Sequence, residues 1–151
     1  METRESSVET MLQQFAMIRK VYGKLCFQSL SSYEFSPSEI DILIFLSNNQ
    51  TINTAKELAF CLNISKGLIA RSVESLMKRE LIEVKEDRSD KRIKHVFLKD
   101  NSEGVVQQIK EQKNALAQIL RKGVSDEELQ VLLETMVKIN KNMQIMLEEK
   151  E

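Results

Sequence analysis

Four sets of side chains in this sequence have types and spacings that could do chemistry. The first is basic. Lys66, Arg71 and Lys78/Arg79 fall in one stretch, and Arg88, Lys91, Arg92 and Lys94 crowd within seven residues. Such cations neutralise phosphates, because every contact releases counterions condensed on the nucleic acid. The second is the pair Cys26 and Cys61, 35 residues apart. With no CxxC spacing and His95 as the one histidine, these residues cannot make up the usual ligand count of a zinc site. The third is His95 itself, in the alternating segment His95-Val96-Phe97-Leu98, with no Ser or Cys nucleophile near it in sequence. It reads as an exposed strand histidine. The fourth is the glycines Gly23, Gly67, Gly104 and Gly123, whose spacing forbids GxGxxG, a phosphate-cradling P-loop and a GxSxG elbow. An enzyme reading has no constellation to stand on, and neither a metal nor a cofactor is expected.

The elements that must position these residues can be read from caps and periods. Val8, Met11/Leu12, Phe15, Ile18, Tyr22 and Leu25 recur at spacings of three and four, one apolar helical stripe over the first 30 residues. Ser36-Pro37-Ser38-Glu39 supplies an N-cap, a proline at N1 and a glutamate at N3. It predicts a short helix with Ile40, Leu43, Ile44 and Leu46 inward, ending in Ser47-Asn48-Asn49-Gln50. Thr54-Ala55-Lys56-Glu57 is a second capping box, with Leu58, Ala59 and Leu62 inward. After Asn63-Ile64, Ser65 caps a third helix that should bury Leu68, Ile69, Val73, Leu76 and Met77. Two short helices joined by a tight turn and preceded by another helix make a helix-turn-helix.

After Leu81 the period shifts towards two. Residues 81–85 and 93–98 suit strands, and the polar Glu86–Arg92 segment between them is too long for a two-residue turn, so the pair forms a wing. Two helices close the chain, one from about Ser102 to Arg121, the other opened by Ser125-Asp126-Glu127-Glu128. In the last, Leu129, Leu132, Met136, Ile139, Met143 and Met146 step by three and four, a narrow heptad seam. The expected fold is mainly α with a small β-wing, a single domain over 1–151. A winged helix-turn-helix occupies 36–99, and 1–34 and 102–151 form a helical region that buries its seams in a homodimer. Intramolecular packing of the seam is the simpler alternative.

Composition tests the basic residues. A net charge of −1, from 22 Lys and Arg against 23 Asp and Glu, argues against nucleic acid when taken as a total. By region it separates: residues 54–99 hold 11 basic and 7 acidic side chains, and the rest of the chain 11 and 16. The central segment is therefore positive, and a two-fold dimer doubles that charge along one surface. Four glycines and one proline favour helices over loop-rich β classes. The longest apolar run, Ile42 to Leu46, is too short to span a bilayer, and Met-Glu-Thr-Arg-Glu-Ser-Ser has no leader-like pattern, so a cytoplasmic chain with reduced thiols is expected. Both cysteines have apolar neighbours in sequence and read as packing residues.

Thr54-Ala55-Lys56-Glu57-Leu58-Ala59, Ser65 to Val73, Leu76, Lys78-Arg79, Leu81-Ile82 and the wing Asp90-Lys91-Arg92 through Leu98 together resemble the MarR (multiple antibiotic resistance regulator) family. The resemblance implies a homodimeric winged helix-turn-helix protein on double-stranded palindromic DNA. Such a protein is typically a repressor whose affinity is altered by a small molecule or an oxidant. It implies that Ser65, Lys66 and Arg71 contact the major groove. It also implies that Asp90 and Arg92 form a wing-tip pair whose guanidinium enters a minor groove, with Arg88, Lys91 and Lys94 beside it. Cys26, near the end of the first helix, is the candidate oxidant sensor. The chain departs from the family at Glu80, where glycine is common, and at Leu68 and Ala70, where threonine is common. Glu83 and Val84 flank Lys85 where arginine is common. The low basicity motivates an alternative, a protein-interaction module or antagonist with the same fold and weak or no DNA binding.

Overall fold

Three capping boxes decide where helices begin. At Ser36, Thr54 and Ser125 the hydroxyl accepts the backbone N–H three residues on, and the glutamate there accepts the N–H of the cap. Each box satisfies two donors that the first helical turn leaves unpaired. A computed structural model describes residues 4–30 and 34–149, so the first three residues of the N-terminal stretch read above, Met1 to Thr3, lie outside the described residues. The helices are α1 (Arg4–Ser29), α2 (Pro37–Asn48), α3 (Ala55–Leu62), α4 (Lys66–Lys78), α5 (Glu103–Leu120) and α6 (Asp126–Glu148), with strands β1 (Ile82–Glu86) and β2 (Lys94–Leu98) between α4 and α5. No helix among the described residues is long and apolar enough to cross a membrane. The chain divides into two compact units, residues 1–114 and 115–151.

In the first unit α2 is the hub. Ile42 and Leu43 are completely buried, and Ile40 and Leu46 nearly so, against Leu58 of α3, Ile69 and Leu76 of α4, Val96 of β2 and Ile109 of α5. Ile42 lies outside the inward set read from the sequence, because this helix is covered on more than one side and its burial is wider than a single stripe. Inside this apolar core the hydroxyls of Ser38 and Ser72 meet at 2.7 Å and satisfy one another. The helix-turn-helix connection works because Asn63 takes the left-handed conformation (φ 53°), after which Ser65 caps α4 by accepting from Leu68 N–H at 3.2 Å.

Two positions differ from the inward pattern expected of α4. Leu68 is 37% exposed and Met77 44% exposed; both lie on the flanks of a buried stripe that contains only Ile69, Ser72 and Leu76. The helix ends in a Schellman arrangement. Leu81 N–H bonds Leu76 C=O at 3.1 Å, Glu80 N–H bonds Met77 C=O at 2.9 Å, and Glu80 sits at φ 57°. A glutamate there carries the steric cost of its Cβ. Glu80→Gly is expected to stabilise the protein by about 1 kcal/mol, seen as a higher urea midpoint at unchanged slope.

β1 and β2 pair antiparallel, with Ile82 opposite Leu98, Val84 opposite Val96 and Glu86 opposite Lys94. That register puts Ile82, Val84, Val96 and Leu98 on one face, which joins the core. The turn before α3 lines the outer edge of β2: Val96 N–H bonds Asn53 C=O at 2.9 Å, and Thr54 bridges His95.

In the second unit a turn carrying Gly123 in the left-handed region (φ 84°) leads into α6, and Arg121 pairs with Asp126 across it. No residue of α6 is buried. Leu129, Met136 and Ile139 are partly covered, while Leu132, Met143 and Met146 of the expected seam are exposed, as are Val131, Leu133 and Val137 away from it. The apolar surface of α6 is thus broader than a narrow seam.

Candidate nucleic-acid interface

The outer face of α4 is set by its own period. With Ile69, Ser72 and Leu76 facing the core, Lys66, Gly67, Arg71, Glu74 and Lys78 face out, and Lys66, Gly67, Arg71 and Lys78 are fully on the surface. Ser65, at the helix start, has its oxygen engaged by the cap while its O–H remains able to donate. Lys78 is paired with Glu74 at 3.0 Å. Among the described residues, Lys66, Arg71, Arg88, Lys91 and Lys94 have no acidic partner within salt-bridge distance.

The wing loop is held by carboxylates. Asp87 Oδ1 accepts from Ser89 N–H at 2.9 Å, Ser89 Oγ–H at 2.6 Å and Asp90 N–H at 3.1 Å. Asp90 in turn accepts from Arg92 Nε–H and Nη2–H, both at 3.1 Å, and from Arg92 N–H at 3.0 Å. The Arg92 hydrogen bonds, side chain first, hold the Asp90 carboxyl below its ordinary range, and the Ser89 hydroxyl and then His95 do the same more strongly for Asp87. The Arg92 side chain is nevertheless 91% exposed. One edge of its guanidinium is held by Asp90 while the rest of the side chain is open to solvent.

His95 is the clearest departure from the sequence reading. It is not a freely exposed strand histidine: its side chain is 28% exposed and both ring nitrogens are bonded, Nδ1 to Asn53 Oδ1 at 2.7 Å and Nε2 to Asp87 Oδ2 at 2.9 Å. Sequence reasoning missed Asn53, a buried polar side chain before α3, and Asp87. Asp87 had one available signal, a Ser two residues on, the spacing of an Asx turn. Asn53 had none, since its partner lies 42 residues away. Glu57 was legible as a cap, and the Thr54 backbone N–H and hydroxyl bonds hold its carboxyl below the ordinary range.

Cys26 lies apart from these groups. It is buried, whereas Cys61 is exposed, so only Cys26 is a packing residue as expected of both. The two thiols line one cavity of about 320 Å³ with Tyr22, Asp41 and Lys113. Burial, then the Cys26 side chain, pushes the Tyr22 phenol up to about 12. Burial also raises the Asp41 carboxyl, against the opposing pull of Lys113 at 3.8 Å and of Arg19. Among the described residues no group of three or more His, Cys, Asp or Glu is placed to hold a metal ion.

A second link ties the connection before α2 to the end of α4. Arg79 Nη1–H donates to Glu34 C=O at 3.1 Å and the guanidinium stacks 3.8 Å over the Phe35 ring.

Residues 33–93 match the sequence model described as the MarR family. No curated protein matches the chain in sequence. Among solved structures the chain is similar to a transcriptional regulator named PA3341, at 18% identity and a TM-score of 0.82, covering 89% of this chain and 98% of that one. It is similar to a MarR transcriptional regulator from Methanosarcina mazei Go1 at 17% identity and a TM-score of 0.77, covering 91% and 99%. A MarR protein from Peptoclostridium difficile shares 20% identity at a TM-score of 0.77, covering 93% and 92%. At these identities the structures speak for the fold, and the match over 33–93 speaks for the sequence. A winged helix-turn-helix stands at the centre of the chain, and within it residues 33–93 carry the sequence pattern of the MarR family.

Proposed function

We propose that this protein is a non-enzymatic, cytoplasmic transcriptional regulator that binds palindromic duplex DNA as a homodimer. On this reading it acts as a repressor whose affinity a small ligand modulates. The observation that carries this reading is Arg92: two parallel bonds to Asp90 fix its guanidinium, yet the side chain is almost fully open to solvent. Ordering a long cation before it meets a partner lowers the entropy cost of binding, and a narrow minor groove favours such an arginine. Lys66 and Arg71 on the outer face of α4 supply the matching contacts in a major groove, with Ser65 at the helix start. Arg88, Lys91 and Lys94 add phosphate contacts around the wing.

Dimerisation is supported by apolar surface that a single chain leaves in water. Val8, Leu12, Met17 and Ile18 of α1 are exposed, and so are Val131, Leu133 and Val137 of α6. Large apolar side chains exposed along a helix in this number favour an interface. The ligand is assigned to the cavity of Tyr22, Cys26 and Asp41, where apolar walls meet a few convergent polar groups.

Selecting bound sequences from a random duplex pool, then titrating salt against the selected site, tests the reading. A steep fall of log affinity with log salt is expected, of slope about −0.9 per phosphate neutralised. Negligible affinity even at low salt overturns it. Glu74 on the outer face of α4, pairing Lys78, and Glu83, pairing Lys85 at 2.8 Å, favour a second reading: an interaction module of the same fold with weak DNA binding. The same titration separates the two.

A further inference from the structure

We infer that His95 and Asp87 are positioning residues that tie the wing tip to the body of the winged helix, and that proton uptake by His95 tightens this tie. The inference rests on the DNA-binding reading only for its consequence at the operator; the coupling itself is a property of the free protein.

The chain of bonds is continuous. Asn53, in the turn before α3, is anchored by its N–H on Glu57 Oε2 at 3.1 Å and by Nδ2–H on Gln50 C=O at 3.4 Å. Its Oδ1 therefore faces His95 Nδ1, and Asp87 Oδ2 faces His95 Nε2. The other oxygen of Asp87 organises Ser89 and Asp90, and Asp90 holds Arg92. Five side chains thus run from the core of the lobe to the exposed guanidinium.

Both ring nitrogens point at oxygen acceptors, and an imidazole can donate from both only when it carries two protons. The neutral ring has one N–H. Losing the proton at Nδ1 sets a lone pair against Asn53 Oδ1; losing it at Nε2 sets a lone pair against a carboxylate. Either way one link of the chain opens. Two carboxylates lie near the ring, with one aromatic ring and one cation. Asp87 is at 2.9 Å, the ionised Glu57 of α3 lies close enough to feel the ring's charge, and the Phe97 ring is 6.3 Å away by centroid. On the opposite strand Lys85 sits directly across, its ammonium paired with Glu83 and turned towards the Phe97 ring. The sign of the effect follows. Both links are made when the ring carries two protons, and one of them is lost when it carries one. Asp87, held ionised, stays an acceptor throughout.

Because His95 is the only histidine in the sequence, the titration can be read without ambiguity. The experiment is a nuclear magnetic resonance titration of the full chain between about pH 5.5 and 8, at fixed ionic strength, following the His95 ring and the amides of Ser89, Asp90 and Arg92. The three amides are expected to move with the same midpoint as the ring. Their exchange protection, corrected for the intrinsic rate, should rise roughly three- to tenfold towards acid pH, the scale of one ordinary hydrogen bond. His95→Gln, which keeps a neutral donor, and Asp87→Asn should each flatten the profile. Affinity for a selected duplex should tighten by a similar factor in the wild type alone. A ring that titrates while the wing amides stay still overturns the inference, as does a pH profile that survives His95→Gln. Wing amides that follow the ring in a protein that binds no duplex uphold it and defeat the DNA-binding reading instead.

Discussion

Arg92→Ala is expected to weaken operator binding by about 1–3 kcal/mol, roughly five- to 150-fold, while leaving folding stability within about 0.5 kcal/mol of the wild type. The separation follows from geometry: among the described residues only Asp90 bonds this side chain, which is 91% exposed, so its removal opens no cavity and strands no buried donor. Arg92→Lys should rescue little, since a lysine cannot make two parallel bonds to one carboxylate. Asp90→Ala should cost less than Arg92→Ala, because it frees the guanidinium without deleting it. The salt slope adds detail. If Arg92 neutralises a phosphate, its removal lowers the slope by about one; if it enters the minor groove, its removal relaxes the preference for A·T pairs beside the half-site. Affinity unchanged by Arg92→Ala, measured by titration on the selected duplex, removes the wing from the interface.

Leu43→Ala should have the largest effect on stability, a loss of about 2–5 kcal/mol in urea unfolding followed by circular dichroism. Leu43 is wholly buried at the hub where α3, α4 and β2 converge on α2, and the small unit around it has little room to collapse into the space left. Leu68→Ala is the informative contrast. The apolar period of α4 assigns Leu68 to the core as firmly as that of α2 assigns Leu43, yet Leu68 stands partly in solvent. Its truncation should cost below about 1 kcal/mol of stability, and its effect should be felt at the DNA-facing surface instead. Equal losses for the two substitutions would show that the flank of α4 carrying Leu68 is packed in solution as tightly as the hub.

That contrast also marks what could be read in the residues alone. Helix starts were legible because a cap is a local device: Ser36, Thr54, Ser65 and Ser125 each bond within three residues. The pairing of Asp90 with Arg92 was legible through the family resemblance, and its bonds are local, two residues apart in one loop. Stripe edges were not. A period of 3.6 fixes the centre of a buried face, but Leu68 and Met77 lie at its flanks, where the neighbours decide. Ile42 was lost in the opposite way, because α2 is covered on more than one side. His95 was misjudged since neither of its partners is a strand neighbour, and Asn53 reaches it only once the turn before α3 has docked on β2. The backbone state of Glu80 was hinted at only by the glycine common at that position in the family.

The serine pair at the heart of the lobe has a mechanical consequence. Apolar contacts tolerate sliding, since one methyl replaces another at little cost, but a hydroxyl pair at 2.7 Å has a length and a direction. Displacing α4 along α2 by one ridge would part Ser38 from Ser72, strand the buried Ser72 hydroxyl at about 1–3 kcal/mol, and leave Ser38 only its longer contact to Ser36 Oγ at 3.2 Å. The pair acts as a dowel between the helix that carries the outer basic face and the helix that builds the core. A rotation of α2 is therefore favoured to carry α4 with it, because slippage between the two helices would break this bond.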